Sequence, residues 1–104
     1  MDERINKLIR QLERGIITQS EFQAEVFRYS STKGNIRQAG KLVGNEQLLV
    51  NVADNPTDIP VWKIVVLENV IHENNPGLDI TYLFPKNERM LTLYSDTLVT
   101  VVLS

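Results

Sequence analysis

The run Leu12-Glu13-Arg14-Gly15-Ile16-Ile17-Thr18-Gln19-Ser20-Glu21-Phe22 constrains this chain more than any other stretch, because it writes the end of one helix and the start of the next. Gly15 stands where a helix C-terminus asks for a left-handed residue. Thr18 and Glu21 form a capping box, in which each side chain satisfies a backbone donor of the other. Ile17 before the cap and Phe22 at the fourth helical position complete a hydrophobic staple. The run dictates architecture and names no reaction.

Ile5, Leu8, Ile9 and Leu12 recur at i, i+3, i+4 and i+7, so residues 3–14 are predicted to be a helix with one apolar stripe. Its other face carries Arg4, Lys7, Arg10 and Arg14, with Glu3 placed to pair with Lys7 one turn on. Such charge runs usually form a solvated face. The second helix begins at Thr18 and puts Phe22, Val26 and Tyr29 on one stripe, folding back on the first as a hairpin. Phe27 lies about 100° off that stripe. Either a second surface of the chain covers it or it is an exposed anchor for a partner, and the covered reading is preferred because large apolar groups are more often core. Ser30-Ser31-Thr32-Lys33-Gly34 reads as the helix end, and Asn35 as the cap of a short helical piece through Ala39, before Gly40 and Gly44 break it.

The apolar first helix, the Gly15-Ile16-Ile17-Thr18 link and the Glu21-Phe22 helix start together resemble the SHOCT family of short bacterial helical modules, over residues 3–27 only. The resemblance implies a helical hairpin with a tendency to mediate association.

From Gln47 the period changes to two. Leu48, Val50 and Val52 alternate with Leu49, Asn51 and Ala53, which predicts a strand. Asp54-Asn55-Pro56-Thr57-Asp58-Ile59-Pro60 is a loop rich in breakers. Residues 61–71 suit a buried strand by their β-branched content, or a helix capped at Thr57 and facing inward with Ile64, Leu67 and Ile71; strand is preferred. Pro76 and Gly77 occupy the central positions of a type II turn. Beyond it, Leu78, Ile80, Tyr82 and Phe84 share one strand face, and residues 90–94 and 97–103 form two more strands around Ser95-Asp96. The last strand is apolar on both faces, so it is expected to be paired on both edges or covered by the helices.

Composition, 42% hydrophobic and 23% charged over 104 residues, is that of one globular domain, with residues 1–44 helical and 45–104 sheet. Zero cysteines exclude disulfides, thiolate metal sites and a thiol nucleophile. No apolar run approaches the ~18 residues of a membrane span, and the charged start Met1-Asp2-Glu3-Arg4 lacks a signal-peptide core, so a cytoplasmic protein without membrane contact is expected. The first 44 residues hold eight basic and five acidic side chains and the remainder three and eight, so any nucleic-acid contact would have to use the helices.

Chemistry is sparse. His72 is the one histidine; Glu73 beside it points to the opposite face of a strand, and the reading is an exposed polar residue at a strand end, with no catalytic residue and no metal ligand assigned. Asp54, Asp58, Glu68, Glu73 and Asp79 lack the spacing of a calcium loop, no glycine pattern cradles a phosphate, and no cofactor is expected. The run 81–101, from Thr81-Tyr82-Leu83-Phe84-Pro85 to Val99-Thr100-Val101, looks like the final hairpin of RNA-cleaving toxins of the colicin D and barnase kind. That resemblance implies cationic and acid/base groups on the sheet, where this chain offers Lys63, His72, Lys86 and Arg89 against eight acids.

The expected fold is α+β, an N-terminal helical hairpin packed on a four- or five-stranded, mostly antiparallel sheet that ends as a meander. The expected function is a small non-enzymatic protein-interaction or regulatory module, of the inhibitor type carried by phages and mobile elements, with another protein or a second copy as partner. Phe27 and Trp62 are its candidate aromatic anchors and Arg4, Lys7, Arg10 and Arg14 its orienting charges. The alternatives are an RNA-cleaving toxin-like domain and a weak nucleic-acid binder using the basic face of the first helix.

Overall fold

The computed structural model describes residues 3–53, 55 and 59–102. Helices α1 (Glu3–Glu13) and α2 (Gln19–Lys33) are followed by β1 (Ile36–Gln38), a 3-10 turn (Ala39–Lys41), β2 (Gln47–Asn51), β3 (Trp62–Asn75), β4 (Leu78–Pro85), β5 (Leu91–Tyr94) and β6 (Leu98–Val101). The protein is thus α+β, two N-terminal helices on an antiparallel sheet of six strands in the order β1-β6-β2-β3-β4-β5.

The linking run behaves as its residues require. Gly15 sits at φ +72°, the Ile16 N–H donates to the Gln11 carbonyl and the Gly15 N–H to that of Leu12, which is the Schellman arrangement. Thr18 Oγ1 accepts from the Glu21 N–H at 3.1 Å, and Glu21 Oε1 accepts from the Thr18 N–H at 3.0 Å, so both halves of the capping box form. Ile17 and Phe22 pack in one apolar cluster, completing the staple.

α2 ends within the Ser30–Gly34 run, as its turn formers predict: Ser30 is fully buried and bonds Thr100 Oγ1 at 3.2 Å, and the helix closes in a second Schellman ending at Gly34, φ +71°. One local expectation gives way. Asn35 caps no helix. Its N–H closes the Schellman loop on Ser30, and Ile36–Gln38 pair with β6 as β1, because a strand edge satisfies their backbone where an isolated helical turn would not.

Residues 61–71 settle as strand. β3 pairs along β2 and then along β4, with an irregularity between Leu67 and Asn69 that changes the register. Gly77 at φ +81° closes the β3–β4 hairpin, as the Pro-Gly pair requires. The four strands β2 to β5 form a meander, and β6 then crosses to lie between β1 and β2, paired on both edges as its two apolar faces demand.

That crossing bends the sheet. β5 and β6 are joined by a turn in which the Thr97 N–H reaches the Tyr94 carbonyl at 3.0 Å, yet they occupy the sixth and second places in the sheet. Only a curled sheet satisfies both, and Leu91 and Leu93 of β5 accordingly pack on the same core as Val99 and Val101 of β6. Leu48, Leu67 and Leu83 fill this inner core, and Ala39 and Leu42 of the segment after β1 join it. Gly40 lets that segment close down: its N–H bonds the Ser95 carbonyl at 2.8 Å, and a Cβ there would stand 3.1 Å from Ser95. The outer face of β2, β6 and the start of β3 is covered by Ile5, Leu8, Phe22 and Val26 of the helices.

A candidate docking cleft between strands and helix

β2 and β6 pair only at Leu48↔Val101 and Leu49↔Thr100. Past that point they part, and a cleft of about 800 Å³ opens between Val50 and Asn51 on one side and Leu98 and Val99 on the other. Phe22, Val26 and Phe27 of α2 wall it from the helical side, and Met90 with Leu91 and Leu93 of β5 from the other. The volume lies in the range of pockets that seat a ligand or a partner's side chains. Phe27 (56% exposed), Leu98 (56%) and Met90 (46%) form an apolar rim open to solvent.

The preferred reading of Phe27 as covered is therefore corrected. The stripe that meets the sheet is Phe22, Val26 and Ser30, one residue per turn, and among the described residues no second surface covers the side of α2 where Phe27 projects. Trp62 takes the core role: its ring centroid lies 5.4 Å from that of Phe22 at 44°, its indole N–H donates to Gln19 Oε1 at 3.2 Å, and it also lines the cleft. The two aromatic candidates thus meet at one site, Trp62 within and Phe27 on the rim.

Arg89 is a cleft residue that sequence reasoning weighed only as a cation for RNA; its guanidinium donates to the Ala53 carbonyl. Leu98 and Met90 were missed as rim residues, since nothing in the local pattern says that β2 and β6 separate. The loop acids Asp54 and Asp58 lie outside the described residues.

The basic face of α1 is separate from the cleft. Arg4, Lys7, Arg10 and Arg14 are all exposed. Lys7 makes no ion pair with Glu3; Arg4 instead reaches Glu25 of α2 at 3.5 Å, and Arg28 meets the same carboxylate at 2.6 Å. The Arg28 hydrogen bond is the main reason the Glu25 carboxyl is held below its ordinary range.

His72 is exposed and stands near the end of β3, three residues before Asn75, on the inner side of the curl opposite Thr81. Nε2 lies 3.0 Å from the Leu42 carbonyl, which can only accept, so that nitrogen carries the proton. With the ring neutral, Nδ1 accepts from the Thr81 hydroxyl at 3.1 Å, which in turn accepts from Ser95 at 2.9 Å. The histidine therefore ties the segment after the 3-10 turn to β3 and β4. Lys63 pairs with Glu88 at 2.9 Å, and Lys86 lies beyond the Leu67↔Pro85 pair, about 16 Å along the strand from His72 at 3.3 Å per residue. The cations and the histidine of the sheet are not gathered into one pocket.

Among the described residues, no group of three or more His, Asp or Glu side chains could hold a metal ion, and no helix is long and apolar enough to cross a membrane. Comparison with known protein families, with curated proteins and with solved structures finds no match for this chain.

Proposed function

We propose that this chain is a small non-enzymatic protein-interaction module that regulates or inhibits a partner by seating that partner's apolar side chains in the cleft under Phe27. The cleft itself carries the reading: an aromatic floor, an apolar rim and two strands that part are what a protein-binding site uses. The RNA-cleaving alternative needs a histidine free to move protons beside clustered cations. Here His72 is committed to Leu42 and Thr81, and Lys63 to Glu88, which favours binding over catalysis.

The test is a comparative capture from an extract of the cells that encode the chain, using wild type, Phe27→Ser and Leu98→Ser. A stoichiometric partner held by wild type and lost by both variants supports the proposal; a capture profile identical for all three overturns it. Incubation with total RNA separates the alternative, since cleavage that disappears in His72→Ala makes the chain a nuclease.

A further inference from the structure

The outer face of β3, β4 and β5 is not covered by the chain's own helices. Cross-strand register places Ile71 beside Tyr82, and Ile80 between Glu73 and Tyr94, with Phe84 one row further on. Ile71 and Tyr94 are 47% and 60% exposed, so this is an open apolar and aromatic platform. Its charge is acidic. Glu73, which accepts from the Tyr82 hydroxyl at 3.4 Å, lies on it, and the exposed acids Glu68, at the β3 irregularity next to Asn69, and Asp96, just past Tyr94, adjoin it in the chain, as does the exposed cation Lys86 after Pro85.

The complementary surface is on the same chain. Lys7 and Arg10 of α1 and Arg14 just past its end follow one another at three- and four-residue spacing, exposed and without an ion pair among the described residues, with Glu3 and Glu13 the acids of that helix. An 11-residue helix is about 16 Å long and about 10 Å wide, which matches three strands spaced about 4.8 Å apart. Within one molecule the two surfaces cannot meet, because α1 is anchored by Ile5 and Leu8 to the cluster over Leu49 and Val102.

We infer that the β3–β5 platform docks the basic face of α1 from a second copy of this chain. The contact is heterologous, one surface of each kind per molecule, so it propagates head to tail and does not close on itself as a two-fold dimer. The apolar platform and the aliphatic stems of Lys7, Arg10 and Arg14 supply contact area, and Glu73, Glu68 and Asp96 set the orientation. The inference uses a different surface from the cleft and stands or falls apart from it.

Two exposed charge reversals test it on the full chain: Glu73→Arg spoils the platform and Arg10→Glu spoils the helix face. By analytical ultracentrifugation at about 0.01 M salt, wild type is expected to grow in mass with concentration, and to revert to monomer at about 1 M, where the Debye length falls from about 30 Å to about 3 Å. Each variant alone is expected to stay monomeric. An equimolar mixture is expected to give a one-to-one complex that grows no further, because it retains one intact helix face and one intact platform. Wild type that stays monomeric at low salt, a mixture that forms no complex, or association abolished by Phe27→Ser and untouched by both reversals overturns the inference.

Discussion

One face of the sheet has two fates. Over β2, β6 and the start of β3, it carries Leu49, Ile64, Trp62 and Val102 under two helices; over β3, β4 and β5 it carries Ile71, Ile80, Tyr82, Phe84 and Tyr94 with no helix above. Both sets are built from large aliphatic and aromatic side chains. The difference is reach: α2 with 15 residues is about 22 Å long and about 10 Å wide, and two such helices cannot roof six strands at about 4.8 Å apiece. Strand alternation thus announces a face, but whether the face is core or surface is decided by the size of what lies on it.

The largest expected effect comes from setting one aromatic of each half against the other. Phe22→Ala removes a 1%-exposed ring that stacks on Trp62, and is expected to cost about 3–5 kcal/mol of stability. Tyr94→Ala, on the open half, is expected to stay within about 0.5 kcal/mol. Urea denaturation of both variants checks this. Equal losses would mean that the open half is packed as well as the roofed one.

Next comes the polar seam on the inner side of the open half. Thr81 is fully buried, and Thr81→Val leaves the Ser95 hydroxyl and His72 Nδ1 without their partner, an expected loss of about 1–3 kcal/mol. A double-mutant cycle with His72→Ala should show positive coupling. Strict additivity would mean that the imidazole contributes nothing through Thr81, and that the segment at Leu42 is held by its apolar contacts alone.

The roofed half was the legible one. Gly15, Thr18, Glu21 and the apolar stripe of α1 are local signals, each decided by residues within one or two turns, and the structure follows them. β4 was legible for the same reason, with Pro76 and Gly77 fixing the turn, whereas residues 61–71 suited a helix almost as well and are strand because β2 and β4 pair along them. What escaped is non-local. Ile36–Gln38 became β1 because β6 offered an edge, 60 residues later in the chain, and the cleft exists because β2 and β6 stop pairing, which neither strand's own sequence encodes. Phe27 was recognised as lying off the stripe, but its exposure depended on what else the fold would bring near it.

Of comparable and smaller size are two substitutions that sharpen how the roof is held. Thr18→Ala removes one half of the capping box and is expected to cost about 1 kcal/mol. Gly34→Ala meets open space yet must hold φ +71°, so backbone strain alone predicts a loss of about 1 kcal/mol. If thermal unfolding shows Gly34→Ala to be neutral, the Schellman ending of α2 is dispensable, and Ser30 and β1 alone fix where the helix stops.

The smallest effects are pH shifts, and each half supplies one with the opposite sign. Glu25, on the roof, is held below its ordinary range by the Arg28 hydrogen bond first, and by the charges of Arg28 and Arg4 against a desolvation that opposes them. A depressed carboxylate contributes stability above its unfolded value and loses it as pH falls through the folded one, so the contribution fades on acidification below about pH 4.3. Tyr82, on the open platform, is pushed above its ordinary value of 10.0 by burial first, then by the negative charge of Glu73 and the hydrogen bond to it. A raised phenol contributes stability that is complete below the unfolded value and is lost as pH rises through the folded one, so its effect appears only in alkali. NMR titration of Arg28→Ala should move the Glu25 midpoint up toward the ordinary range. Ultraviolet titration of Glu73→Gln should move Tyr82 down by only part of its shift, because burial remains. Full return of Tyr82 to its ordinary value would show that Glu73, not the packing of the platform, sets its ionisation, and that this half is more open to water than Ile71 and Phe84 around it imply.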